Sequence, residues 1–291
     1  MLDNFIGYLT FEKRYSPHTI VAYQYDLEQF IQYAEVGSLA AFGDLNSSFI
    51  RGWVVQLFEN KQKAKSINRK LAALRTFYKW LRKENVVVIN PMSKIQGPKN
   101  EKRLPAFAKE SELQAEKLDF LFNDSIDGIR DKLMFEVLYQ TGIRLSELID
   151  LRVSNFTNDS IKVIGKRNKE RIIPISTNLS LLIREYLVKK KQIFGDSDYV
   201  FSMKLGKKMY PMLVYRRINQ YLSIATNLDK RSPHVLRHTF ATHMLNRGTG
   251  LETLKDLLGH ANLSATQVYT HNSFAQLTSI YSQAHPRGDK N

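Results

Sequence analysis

Apolar residues recur at helical spacing through nearly all of residues 1–90. Leu2, Phe5, Ile6 and Leu9 open the pattern, and Ser16-Pro17 then supplies an N-cap and an N1 proline for a second helix carrying Ile20, Tyr23, Leu27, Phe30 and Ile31. Gly37 is placed to end that helix. A third helix is expected from Ser48 to about Glu59 with Trp53, Leu57 and Phe58 inward. A fourth is expected from Ser66 to about Arg82, where Ile67, Leu71, Leu74, Phe77, Tyr78 and Leu81 form the apolar stripe. Four short helices with one apolar face each predict a compact bundle.

The pattern breaks after Ile89. Asn90-Pro91, Gly97, Pro98, Lys99, Lys102 and Arg103 read as a basic linker, which divides the chain into an N-terminal domain at 1–90, a linker at 91–106 and a second domain at 107–291. That domain opens with an amphipathic segment, Lys109 to Phe122, and a buried helix through Leu133, Met134, Val137, Leu138 and Tyr139. The helix stops in TGIRLSEL, residues 141–148, where Gly142 breaks it, Arg144 sits in the turn and Ser146-Glu147 begins a short helix. The period switches in SIKVIGKRNKERIIPI, residues 160–175, which reads as two strands joined by a polar turn from Gly165 to Lys169. Helices resume at Leu179–Lys191 and Tyr210–Ala225, with a short strand or turn near Tyr199–Ser202 between them. The predicted fold class is mainly α with one small β-hairpin.

Composition narrows the chemistry. The chain has no cysteine, which excludes thiolate zinc sites, disulfides and cysteine nucleophiles. No apolar run is long enough to span a bilayer, so no membrane insertion is expected and a soluble, cytoplasmic protein is. The formal charge of +15 is spread over both halves rather than held in a tail, which suits a polyanion gripped by two domains, or an ordinary basic protein. On the fourth helix Lys65, Ser66, Asn68, Arg69 and Arg75 are candidates for DNA contact near its N-terminus; a solvated cationic face is the alternative.

The chemistry-bearing residues lie in the second domain. Ser232-Pro233 caps a helix whose first turns hold His234, Arg237 and His238, where free amides and the helix dipole favour an anion. His234 and Arg237, three apart, can reach one phosphate. No HExxH pattern accompanies His234, His238 and His243, and no acidic ligand is placed for a metal, so none is expected. Gly248 and Gly250 break the helix before LETLKDLLGH brings in His260. Arg144 either ties its turn to Glu147 or Asp150, or is a buried arginine kept for a phosphate. Lys166 and Lys169 sit at the hairpin tip, as charged turn residues or as a short arm that protonates a leaving oxygen. Tyr269 follows SATQV close to this cationic cluster, and guanidiniums would stabilise both its anion and the charge of an attacked phosphate. After it, Phe274, Leu277, Ile280 and Tyr281 mark a terminal helix at about 273–284 that docks on its own core or on a neighbouring protomer.

Taken together, YSPHTIVAYQYDL at 15–27, TGIRLSEL, GKRNKERIIPI, HVLRHTFATHML at 234–245, LLGHANLSATQVYTH at 257–271 and AHPR at 284–287 resemble the tyrosine recombinase (phage integrase) family. The likeness is to the Xer site-specific recombinases of chromosome dimer resolution, over essentially the full chain. It implies a SAM-like core-binding domain and a catalytic domain of the DNA breaking-rejoining fold. By the same resemblance Arg144, Lys166, His234, Arg237 and His260 are catalytic and Tyr269 is the nucleophile, forming a 3′-phosphotyrosyl link on the way to a Holliday junction. Arg167 replaces the glycine common in relatives, and either Lys166 or Lys169 is the general acid. The implied partners are duplex DNA with paired half-sites, a homo- or heterotetramer formed with a second related recombinase, and a septal DNA translocase. The implied location is the nucleoid. Neither ATP nor metal is required, because the covalent link conserves the bond energy. A mobile-element integrase or inversion recombinase, and a noncatalytic DNA-binding protein, are the alternatives.

Overall fold

The computed structural model describes residues 2–100, 105–165, 169–203, 206–259 and 271–289. The chain forms two compact units, Met1–Arg103 and Leu104–Asn291. Both are built from helices, and the only sheet among the described residues is a two-stranded hairpin.

The first unit holds α1 (Asp3–Gly7), prolonged by a wide turn over Tyr8–Glu12, then α2 (Pro17–Ala34), α3 (Ser47–Glu59) and α4 (Ala64–Lys83). The Ser16 hydroxyl accepts from the Thr19 amide and Asn46 accepts from the Phe49 amide, so α2 and α3 each start on a side-chain cap. Phe5, Phe30, Phe42, Trp53, Phe77 and Tyr78 fill an aromatic core with the whole expected stripe of α4. Two details differ from the sequence reading, and a third feature, the burial of a lysine, was not read from it. The helix α2 ends at Glu35, held in the left-handed region at φ 51°, and not at Gly37. Phe58 is 49% exposed because Ile50, Trp53 and Leu57 define the inward face and position 58 lies about 100° off it. Lys70 is buried: its ammonium donates to Asp26 at 2.9 Å and to Gln29, joining α4 to α2. Pro91–Lys94 forms a short turn, and Met92 and Ile95 pack into this core.

In the second unit α5 (Ala115–Asp119) precedes α6 (Ile126–Thr141), which is buried on nearly every side and packs against α8 (Thr177–Phe194) and α10 (Pro233–Asn246). Ser125, Ser176 and Ser232 cap α6, α8 and α10. Gly142 terminates α6 at φ 61°, where an added Cβ would also lie 2.4 Å from the Phe240 ring. Next come α7 (Leu145–Asp150), then β1 (Ser160–Ile164) and β2 (Glu170–Pro174), paired antiparallel with Val163 opposite Arg171. The helix α9 (Pro211–Ala225) leads to α10, and α11 (Leu251–Leu258) ends at Gly259, φ 64°.

The terminal helix α12 (His271–Ala284) lies on its own unit, against α10 and β2, with Leu277 and Tyr281 buried. The residues that follow fasten it. The Tyr281 hydroxyl donates to Gln140 Oε1 at 3.2 Å, and Arg287 donates to both oxygens of Glu136. His285 is fully buried; its Nε2 faces the Tyr139 carbonyl and its Nδ1 accepts from the Arg287 amide, which fixes the Nε2–H tautomer. Burial pushes the pKa of His285 down to about 3, so this ring stays neutral.

Candidate active site

Two of the expected residues meet where the end of α6, the start of α7 and the end of α11 converge. Arg237, on the second turn of α10, is 7% exposed and donates Nη1 to the Gly142 carbonyl at 2.6 Å and Nη2 to the Leu258 carbonyl at 2.7 Å. Arg144 stands two residues beyond Gly142 and donates Nη2 to the Gly259 carbonyl at 3.2 Å. The two guanidiniums therefore share one turn and one helix end. The fixed negative end of α11 suits them, because its last carbonyls have no helical partner.

Of the two readings open for Arg144, the structure realises the turn tie and does not bury the side chain. Its side chain is 40% exposed while it bonds Glu147, Nη1 to Oε1 at 2.8 Å, and its backbone amide bonds Oε2 at 2.7 Å. Part of the guanidinium thus stays open to solvent.

Two residues of this cluster were not singled out as functional from the sequence. Arg171, on β2, grips Glu147 with Nη1 at 3.0 Å and Nη2 at 2.7 Å, and its Nε donates to the Leu257 carbonyl at 2.8 Å. Glu147 accepts four charge-assisted bonds in all. Burial would raise its pKa, but the bonds and charge of Arg171, followed by those of Arg144, bring it down to about 2. A carboxylate so saturated serves neither as a general base near neutral pH nor as a free metal ligand. A readable signal existed for Arg171: it shares the inward parity of β2 with Ile173, which makes it an arginine on a buried strand face.

Among the described residues, three guanidiniums against one carboxylate leave two uncompensated positive charges in this corner. Burial, with the charges of Arg144 and Arg171 added, depresses the pKa of Arg237 to about 10. A bound anion would relieve that cost and be held by charge-assisted bonds.

His234 lies exposed on the first turn of α10, one turn before Arg237. His238 is half-buried, with its pKa lowered by burial and then by His234. His243 is buried between the Tyr139 hydroxyl at 3.1 Å and the Ala108 carbonyl at 2.9 Å, a packing role. Lys169 is exposed and its carbonyl accepts from the Gly165 amide at 2.7 Å, closing the root of the hairpin turn. Lys166, His260 and Tyr269 lie outside the described residues. Among the described residues no group of three or more His, Asp or Glu is placed to hold a metal ion.

In the first unit Lys65 is exposed and Ser66 half-buried on the opening turn of α4. Their expected companions are occupied. Asn68 donates to the Pro98 carbonyl and to Asn100, Arg75 to the Ile95 carbonyl, and Arg69 to Asp26 and the Ala22 carbonyl.

Residues 111–276 match the phage integrase family, and residues 2–85 match the phage integrase N-terminal SAM-like domain. The chain is 38% identical to tyrosine recombinase XerC of Anoxybacillus flavithermus, covering 98% of this chain and 97% of that protein. It is 35% identical to tyrosine recombinase XerC of Shigella flexneri, with 99% and 97% covered. Its fold is that of XerH site-specific recombinase bound to a palindromic difH substrate, at a TM-score of 0.73 and 22% identity over 90% of this chain and 79% of that one. A lambda integrase dimer bound to a COC′ core site shares the fold at a TM-score of 0.68 and 17% identity, over 100% and 78%. The chain belongs to the phage integrase family and is a tyrosine site-specific recombinase, an enzyme that cleaves and rejoins DNA strands.

Proposed function

We propose that this recombinase resolves chromosome dimers at a site near the replication terminus. The observation that carries the chemistry is the corner where Arg144 and Arg237 share the Gly142 turn and the end of α11 with two uncompensated positive charges, immediately before position 260. In the proposed reaction Tyr269 attacks the scissile phosphate, the bond to the 5′ oxygen breaks, and a 3′-phosphotyrosyl link forms. Lys166, or Lys169 in its place, donates the proton that the leaving 5′-hydroxyl takes. Arg144, Arg237 and His260 hold the nonbridging oxygens, and His234 binds the phosphate and is the candidate base. Attack by the partner strand's 5′-hydroxyl restores the phosphodiester and leads to a Holliday junction, without ATP or metal.

The proposed substrate is duplex DNA with paired half-sites, bound by a tetramer of this chain alone or with a second related recombinase, in the nucleoid and under a septal DNA translocase. Lys65, Ser66 and Lys169 are proposed phosphate contacts. Arg69 and Arg75 contribute through the donor hydrogens that their internal bonds leave over, whereas Asn68, both of whose amide hydrogens are engaged by Pro98 and Asn100, would reach DNA only by giving up one of those bonds. The Xer names of the full-length relatives, and the difH complex of the structural neighbour, favour this role over a mobile-element integrase. Nicked suicide duplexes carrying the terminus site of the source genome test it. A denaturation-resistant adduct is expected with the wild-type chain and none with Tyr269→Phe, which keeps its DNA affinity; no specific binding to that site would overturn the proposed role.

A further inference from the structure

The cluster contains a guanidinium that does not face outward. Arg171 is 5% exposed, against 40% for the side chain of Arg144, so it is badly placed to touch a phosphate. Its bonds all run inward: two to Glu147, one to the Leu257 carbonyl. Its environment is built to admit it closely. A Cβ added at Gly259 would lie 3.1 Å from Arg171 Nη1, and one at Gly165 would lie 3.5 Å from the same nitrogen and 3.6 Å from Glu147 Oε1. Gly165 is the residue before Lys166, and Gly259 is the residue before His260. One planar group is therefore packed at the roots of both segments that carry the remaining proposed catalytic residues.

Charge links the same groups. Glu147 bonds both Arg144 and Arg171. Were it bonded to Arg144 alone, that pair would be neutral, and little of the Arg144 charge would remain for an anion. With Arg171 supplying the compensating charge, Glu147 orients Arg144 without consuming it. A lysine could not do this, since one ammonium cannot span both carboxylate oxygens and also reach the Leu257 carbonyl in the plane that a guanidinium fork provides.

We propose that Arg171 is a positioning residue for strand cleavage, neutralising Glu147 so that Arg144 keeps its charge for the phosphate and fastening β2 to the end of α11. This rests on the cleavage chemistry proposed above. Single-turnover cleavage of a nicked suicide duplex at saturating protein is the direct test. Arg171→Met is expected to slow adduct formation by roughly 100-fold, the scale seen when one donor to a developing anion is lost, with DNA affinity changed by less than about threefold. Arg171→Lys, which keeps the charge and loses the fork, is expected to be slowed by roughly tenfold or more.

The deciding variant is Arg171→Met combined with Glu147→Gln. It removes the buried pair together, so the fold survives, and it restores the two uncompensated charges. It is expected to cleave at least about tenfold faster than Arg171→Met alone, the opposite of what two additive structural losses would give. Arg171→Met cleaving at the wild-type rate, or a folded double variant no faster than the single, would overturn the proposal.

A readout independent of cleavage separates this proposal from the chemistry it rests on. Hydrogen exchange in Arg171→Met should rise together in peptides covering 142–150 and 251–259, neither of which contains the substitution. A rise confined to β2 would overturn the coupling even if the wild-type chain formed no Tyr269-linked adduct, a result that would itself count only against the chemistry.

Discussion

Glu147→Gln removes the one carboxylate on which Arg144 and Arg171 converge, and its effect can be sized from two directions. The pKa of Glu147 falls from an ordinary 4.5 to about 2 in the folded chain, equivalent to about 3 kcal/mol of folding free energy at neutral pH. Loss of one partner from a buried pair costs about 3–5 kcal/mol by mutational precedent, because the surviving guanidinium is left uncompensated. The two figures agree, and they predict a loss of about 3 kcal/mol in the second unit at pH 7. The pH dependence has a definite sign. A folded-state pKa below the unfolded one contributes stability that is complete above about 4.5 and is lost as pH falls toward 2. The gap between wild type and variant should therefore be widest at pH 6–7 and should narrow steadily between about pH 4.5 and 3. Urea unfolding followed by far-ultraviolet circular dichroism reads it. Both tryptophans, Trp53 and Trp80, lie in the first unit, so indole emission tracks that unit separately and should not move. A variant within about 0.5 kcal/mol of wild type at pH 7, or a gap constant down to pH 3, would refute the reasoning.

Gly142→Ala should destabilise the second unit by about 2–5 kcal/mol, from a left-handed φ and a clash with Phe240, and should slow cleavage because Gly142 supplies the carbonyl that holds Arg237; calorimetry and adduct kinetics check it. Asp26→Ala leaves the Lys70 ammonium buried with Gln29 and the Tyr25 ring but no carboxylate, so the tryptophan-reported unfolding of the first unit should lose about 3 kcal/mol or more while the second unit is unchanged. Arg287→Ala should loosen the end of α12: amide exchange across residues 277–284 should rise at least about tenfold while α6 stays protected, and unchanged exchange would contradict the fastening role given to the Glu136 pair.

Much of this architecture could be read from residue spacing, for local reasons. The stripe of α4 lies wholly inward because its six apolar residues keep the helical period, and Gly142 ends α6 because only glycine enters the left-handed region there without strain. What stayed hidden depended on partners far along the chain. Lys70 looks like one more surface cation until Asp26, 44 residues earlier, is brought beside it. Asn68 and Arg75 look like free groove-reading donors until the carbonyls of Pro98 and Ile95 fold back onto α4. Helix α2 stops at Glu35 because a non-glycine residue accepts the left-handed region there, which propensity alone disfavours. At the site, Arg144 and Arg237 were legible from their motifs, whereas the role of Glu147 as a shared acceptor required a strand that begins more than twenty residues later.

The most direct measurement is the identity of the residue that joins DNA. The wild-type chain would be trapped on a nicked suicide duplex carrying the terminus site, digested with protease, and the DNA-linked peptide sequenced by mass spectrometry. The account predicts a single linkage, from the 3′ phosphate of the cleaved strand to the hydroxyl of Tyr269. A linkage to any other of the 14 tyrosines, to a serine, or to a 5′ phosphate would contradict it.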